Sequence, residues 1–182
     1  VEQPNGAYVH GHTDGTISID LSESNPNEVD GEPLGDGVNA EALSKFHNVF
    51  EICNQGTQPV CVDFAVNVPV IPNGADVPDQ YDFEDGDLAV VFYRGDNPKD
   101  PINVDNLNPD RPGAFSLDVG DCQCVGFEVR AFGFDNEEDL FKDAELEIIA
   151  EAGADCSDGP PEERPNEPVE DLELTYADGV VT

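Results

Sequence analysis

Apolar and polar positions alternate with a period of two along much of the chain. Val60–Val68 is the clearest case: Val60, Val62, Phe64, Val66 and Val68 alternate with Cys61, Asp63, Ala65 and Asn67. β-Branched and aromatic residues at that period mark a half-buried strand. Phe46–Asn54 reads the same way, with Phe46, Phe50 and Ile52 on one face and His47, Val49, Glu51 and Cys53 on the other. In Cys122–Gly133, Val125, Phe127, Val129 and Ala131 share a face. Shorter strands are predicted at Ala7–His10, Thr16–Leu21, Leu88–Arg94, Ala114–Val119 and Ala144–Ala152. Ala40–Lys45 and Asn136–Lys142 each suit a turn of helix. Between the strands stand turn formers such as Asn5-Gly6, Asp14-Gly15 and Asp30-Gly31, and a long loop over Gly95–Gly113.

About eight or nine short strands with hardly any helix predict an all-β fold, an antiparallel two-sheet β-sandwich. Its expected core is Phe46, Phe50, Ile52, Val62, Phe64, Val66, Val90, Phe92, Phe127, Val129 and Ile148. The sandwich is expected to occupy residues 1–156. Ser157–Pro168 is a proline- and acid-rich linker. Strand character returns in a tail, Val169–Thr182, through Leu172, Leu174, Tyr176, Val180 and Val181.

The chain is strongly acidic. Of 182 residues, 41 are Asp or Glu and 7 are Lys or Arg, a formal charge of −34. Binding to nucleic acid through a basic face is excluded, because such binding neutralises phosphates with Lys and Arg. Disorder is disfavoured: 10 Phe and 4 Tyr sit among Val and Ile, and the acids are scattered rather than blocked. In dilute buffer this charge density repels itself, whereas at about 1 M salt the Debye length is only ~3 Å. The expected setting is therefore a halophile, with solvent cations at high salt as the chain's companions. No apolar stretch approaches the ~18 residues of a membrane span. No apolar leader opens the chain, so any export signal is expected to have been removed.

The cysteines carry more information than the acids. Cys53, Cys61, Cys122 and Cys124 all fall opposite the aliphatic face of their strands. A bridge between Cys122 and Cys124 would be strained. Two disulfides tying Cys53 and Cys61 to Cys122 and Cys124 are therefore expected, with Cys156 left over, either free or paired between subunits. The rival is a four-thiolate metal site, which lacks the paired CxxC spacing of structural zinc.

Other chemistry is sparse. His10-Gly-His12-Thr-Asp14 resembles the opening of a metallo-hydrolase box, but Gly15 stands where the last His belongs. On a strand, His10 and His12 would share a face, and with Asp14 they are the candidate metal ligands. His47 is the one other histidine, so a full catalytic shell would need carboxylates, and a polar strand end is the preferred reading. Tyr81–Asp87 is rich in oxygen donors but misses the EF-hand spacing. Neither HExxH nor GxSxG occurs, so no catalytic residue, enzyme activity or cofactor is expected.

Gly37–Thr57, GVNAEALSKFHNVFEICNQGT, resembles the polar lead-in and F-x-[IL]-x-N-x-G-T segment of TasA/camelysin-type biofilm fibre subunits. The matching residues are Phe50, Ile52, Asn54, Gly56 and Thr57, and Ser116–Phe132 is similar to that family's second pairing of a Gly turn with a strand. A haloarchaeal surface-domain family of unknown function has the same layout and acidity. The resemblance implies a jelly-roll-like sandwich at the cell surface or outside the cell. It also implies copies of the chain joined into a filament, a pilus or biofilm fibre, by donated strands. Candidate donor residues are Ala7, Tyr8 and Val9 at one end and Leu172, Leu174, Tyr176 and Val180 at the other. The competing reading is a monomeric, surface-attached binding or adhesion module.

Overall fold

The computed structural model describes residues 5–11, 17–22, 25, 27–29, 32–33, 38–102, 113–134, 140–141, 144–152, 156, 172–176 and 179–181. It is an all-β protein, with antiparallel sheets packed against each other as a sandwich. After a single 3-10 turn at Gly6–Tyr8 come β1 (Val9–Gly11), β2 (Ile17–Ile19), β3 (Glu28–Val29) and β4 (Glu32–Pro33). The body follows with β5 (Leu43–Asn54), β6 (Val60–Asn67), β7 (Val90–Arg94), β8 (Phe115–Leu117), β9 (Cys122–Arg130) and β10 (Glu145–Ala152). The tail supplies β11 (Leu172–Tyr176) and β12 (Gly179–Val181). One main sheet has the order β12-β11-β5-β9-β7 and the other β10-β6-β8, while β1-β2 and β3-β4 form small hairpin sheets.

The inward faces of the two main sheets make the core. Val60, Val62, Phe64 and Val66 of β6 meet Phe50, Ile52, Val90, Phe92, Val125, Phe127 and Val129 of the opposite sheet. Each such side chain contributes about 1.5–3 kcal/mol by burial. Of the expected core, only Phe46 and Ile148 are partly rather than fully buried. Phe46 stacks on Phe127 with centroids 4.9 Å apart, and Phe92 meets both Phe64 and Phe127 at 5.7 Å.

Three local expectations need correction. Ala40–Lys45 is not helical: Glu41 has φ 52, its N–H bonds to the Ala131 carbonyl, and Ala42 accepts from the Ala131 N–H. This turn feeds straight into β5, which begins at Leu43. Val49, read as facing outward, is fully buried. Between Phe46, opposite Phe127, and Phe50, opposite Val125, β5 holds more residues than β9, and this bulge resets the alternation. Asn48 takes φ 50 there and donates its N–H to the Gly95 carbonyl at 3.2 Å. The bulge crowds Gly126 on β9, where a Cβ would lie 2.7 Å from the carbonyl oxygens of both Phe46 and Gly95. Only glycine fits. The third correction is at the start of the chain, where Ala7 and Tyr8 lie in the 3-10 turn instead of a strand. Of Asn136–Lys142, only Leu140 and Phe141 are described, and Leu140 is buried.

Asn54, at the end of β5, is fully buried and every polar group on it is used. Its side-chain amide donates to the carbonyls of Gln58 (2.9 Å) and Leu117 (3.0 Å), and its Oδ1 accepts from the Gly56 N–H (3.0 Å). Its backbone N–H reaches the Asp121 carbonyl and its own carbonyl accepts from Gly120. One side chain thereby pins the turn between β5 and β6, the end of β8 and the entry to β9. Asn54→Ala strands the buried Leu117 carbonyl and takes the partner from the Gln58 carbonyl and the Gly56 N–H, and is expected to cost on the order of 2–3 kcal/mol. Gln55→Ala, one residue on and exposed, should stay within about 0.5 kcal/mol. Denaturant unfolding in molar salt, followed by circular dichroism, separates the two.

Candidate functional site

The chemistry-bearing residues gather on the outer face of the five-stranded sheet. Val125, Phe127 and Val129 point into the core, so Cys122, Cys124 and Glu128 of β9 point out. Across the ladder Glu51 is opposite Cys124 and Cys53 opposite Cys122, which makes a two-by-two patch on adjacent strands. Cys53 and Cys122 are joined as a disulfide, their Cα atoms 4.1 Å apart, close to the narrow spacing of antiparallel pairing. Glu51 lies between this bridge and Cys124. Its Oε1 accepts from the Cys124 thiol at 3.4 Å, and its Oε2 lies 3.8 Å from the sulfur of Cys53.

Cys124 is unbridged and only 8% exposed. Burial pushes its thiol up to about 11, helped by the hydrogen bond to Glu51 and by that carboxylate's charge. A thiol at that value is a nucleophile held inert at neutral pH.

The second disulfide joins Cys61 to Cys156. This corrects the expected pairing, in which Cys61 took a partner on β9 and Cys156 was left over. The reason is architectural: β6 and β9 belong to different sheets, and the outer faces of a sandwich look in opposite directions. Cys61 lies opposite Ser116 of β8, and the Ser116 hydroxyl donates to the Cys156 sulfur at 3.4 Å, so Cys156 reaches the face that Cys61 presents. Alternation revealed that each cysteine points outward. It carried no information about which sheet it leaves.

Further along the same outer face, Glu128 is 5% exposed yet fully partnered. Its Oε1 accepts from Arg130 Nε (2.9 Å) and Nη2 (2.8 Å), and Lys45 Nζ lies 3.8 Å from Oε2. Arg130 also sits over the Phe83 ring, 4.3 Å from its centroid. Beside them the Tyr93 hydroxyl lies 3.0 Å from His47 Nδ1 and donates to the Phe46 carbonyl at 3.3 Å. Burial first, then the charges of Glu128 and Asp96, hold the Tyr93 phenol well above its ordinary value. Nothing in the sequence pattern singled out this cluster, because Glu128 reads as one more outward acid.

The remaining candidates disperse. His10 is on β1, its Nδ1 3.5 Å from the Asn27 amide and its Nε2 buried without a hydrogen-bond partner. His12 and Asp14 lie outside the described residues. In Tyr81–Asp87 the acids cap turns: Asp85 accepts from the Gly74 N–H and Asp87 from the Glu84 N–H, both at 2.8 Å. Tyr81 and Phe83 stack at 5.1 Å and meet Phe132. Val9 is fully buried, and Tyr8 packs edge-on against Phe46. Leu172 and Leu174 pair with Asn54 and Ile52 of β5, while Tyr176 and Val180 belong to the β11-β12 hairpin. Among the described residues no helix is long and apolar enough to cross a membrane.

A family described as "Protein of unknown function (DUF1102)" matches residues 3–154, which takes in everything from the 3-10 turn to β10. The chain belongs to that family. Neither the curated proteins nor the solved structures compared with it give a match. The DUF1102 region contains Cys53, Cys61, Cys122 and Cys124 and stops short of Cys156 and the tail.

The intact protein should weigh four hydrogens less than its reduced form, and a non-reducing digest should link Cys53 to Cys122 and Cys61 to Cys156. At pH 8, about one Cys124 in a thousand is a thiolate. Alkylation of the folded, unreduced chain should therefore be slow, rise as pH climbs toward 11, and modify one thiol per chain rapidly once the protein is unfolded. Rapid labelling of the folded protein at pH 8 would contradict this burial.

Proposed function

We propose that this DUF1102 chain is a structural subunit of an extracellular filament of a halophilic organism, its copies joined by exchange of the C-terminal strand. The observation that carries the reading is how the tail completes the five-stranded sheet. Leu172, Glu173, Leu174 and Thr175 lie antiparallel to Asn54, Cys53, Ile52 and Glu51, so the edge of β5 accepts a strand from the far end of the chain. The chain is fastened to the other sheet by Cys61–Cys156. From Cys156 to Leu172 there are sixteen peptide links, enough for a span of about 50 Å. Crossing a sandwich needs only ~10 Å. A tether with that much reach serves the same edge on a neighbouring copy, and main-chain hydrogen bonds are indifferent to which copy supplies them. The likeness of Phe50–Thr57 to the fibre-subunit segment points the same way, and two disulfides suit an oxidising exterior. High charge fits this role: assembly brings copies of charge −34 together, which requires the screening of concentrated salt.

A second reading, a monomeric binding or adhesion module, is favoured by two observations. The tail here pairs with its own β5. A groove of about 900 Å³ also opens between the sheets, where Val66, Leu146 and Ile148 face Val90, Phe92 and Phe127.

The intact chain and two truncations, lacking residues 1–12 or 169–182, discriminate when imaged by negative stain in molar salt. The intact chain should form fibres, loss of 169–182 should abolish them, and loss of 1–12 should not. Dialysis to low salt should dissolve fibres and weaken the strand signal in circular dichroism. Fibres that survive both truncations, or an intact chain that never assembles, would end the strand-exchange reading and leave the binding module.

A further inference from the structure

The patch formed by Glu51, Cys53, Cys122 and Cys124 has a chemistry that its oxidised form conceals. We propose that, once the Cys53–Cys122 bridge is reduced, these four residues form a binding site for one thiophilic divalent metal ion of the zinc class. The proposal is independent of filament assembly.

Geometry is the first support. One donor atom from each of Glu51, Cys53 and Cys122 lies within 4.8 Å of the others, and the Cys124 sulfur is 3.4 Å from the Glu51 carboxylate. A tetrahedral zinc with bonds of about 2.0–2.3 Å places its donors roughly 3.3–3.8 Å apart. Glu51, Cys53 and Cys122 need to close by about an ångström and Cys124 to swing toward them from its bond with Glu51, movements that cysteine and glutamate rotamers can supply.

Rigidity is the second. The four residues stand on adjacent strands, in two directly opposed pairs, and the ladder continues to Leu43 and Arg130 beyond the patch. Asn54 bonds to the Asp121 carbonyl next to the bridge. Releasing the sulfur–sulfur bond therefore leaves the thiols facing one another instead of dispersing them. Cys61–Cys156 has Glu151 opposite Cys61 on β10 and Ser116 opposite it on β8, but no third cysteine beside it.

Charge and softness are the third. Three thiolates and a carboxylate carry four negative charges, and a divalent ion offsets two of them in a chain already at −34. Thiolates select zinc-class ions over sodium, magnesium and calcium, so concentrated salt does not compete for the site. The step balances: the bridge takes two electrons and two protons from a dithiol, which closes to its own disulfide. The incoming ion then displaces three thiol protons to solvent.

The test uses Co²⁺ as probe in molar salt, on a chain carrying Cys61→Ser and Cys156→Ser so that one bridge remains. The protein is reduced with a dithiol, desalted without oxygen and titrated. One Co²⁺ per chain should bind, with thiolate-to-cobalt charge transfer and tetrahedral ligand-field bands that Zn²⁺ abolishes. The oxidised chain should show neither. Cys124→Ala and Glu51→Gln should each weaken binding at least ten-fold. If the double-serine chain fails to fold, the same titration on the reduced natural chain against its Cys124→Ala variant reads the same site. Absence of the bands after reduction overturns the proposal. So do equal binding by Cys124→Ala, equal binding before reduction, and a reduced chain that has lost its strand signal and does not regain it with Co²⁺.

Discussion

The pairing of β5 with β9 is the interaction on which the rest of this structure depends. Among the described residues it spans the most chain, Leu43–Cys53 against Cys122–Arg130, and it is the centre of the larger sheet, with β11 added on one side and β7 on the other. Asn54 locks one end of it, and the turn at Glu41, bonded to Ala131, locks the other. In the middle, the bulge between Phe46 and Phe50 brings two carbonyl oxygens so close to β9 that only Gly126 can stand there. Those contacts fix the register, and the register fixes everything on the outer face. A slip of one residue would turn Cys122 and Cys124 into the core and push Val125 and Phe127 out.

This explains which features could be seen in the sequence and which could not. The phase of Val60–Asn67 and of Cys122–Arg130 is uninterrupted, so their core residues were legible from alternation alone. Val49 was not, because a bulge resets phase without leaving a compositional mark beyond the pairing of Asn48 with a distant Gly95. Ala40–Lys45 has respectable helix formers, but their backbone groups are claimed by the end of β9, a contact about ninety positions away. The cysteines show the limit most clearly. Period two assigns a side chain to a face of its own strand, and a sandwich has two outer faces. Only the topology that puts β6 with β8 and β10, apart from β9, separates Cys61 from Cys124. Asn54 is a different case: strand alternation does not mark it as a clamp, which only its bonds to the turn and to β8 reveal.

β10 forms one margin of the smaller sheet, and among the described residues no strand pairs with its outer side. It carries Glu145, Glu147 and Glu151, and charge on an edge strand discourages pairing with other chains. That protection depends on ionic strength, since repulsion between exposed carboxylates fades as the Debye length shrinks. The β5 edge is handled differently. It is covered by β11, a strand joined to the body through a disulfide and a long stretch of chain. Of these two edges, one is guarded by charge and the other by the chain's own tail.

Three of the described cations have carboxylate partners. Lys45 and Arg130 converge on Glu128, the one buried carboxylate among the described residues, and Arg94 pairs with Asp100 while lying 5.8 Å from the centroid of the Phe115 ring. A buried carboxylate carries a desolvation penalty of several kcal/mol, which the two guanidinium N–H bonds to Glu128 Oε1 help to offset. Exposed acids need no such partner, because water and dissolved cations solvate them. In a chain this acidic, neutralising the surface with Lys and Arg is not attempted. Where an acid is buried, on the outer face of the β5–β9 ladder, Arg130 and Lys45 supply the positive charge that solvent cannot. On that same face Cys53, Cys124 and Glu128 are nearly closed to water, which is why their chemistry is set by neighbouring side chains and not by the salt around them.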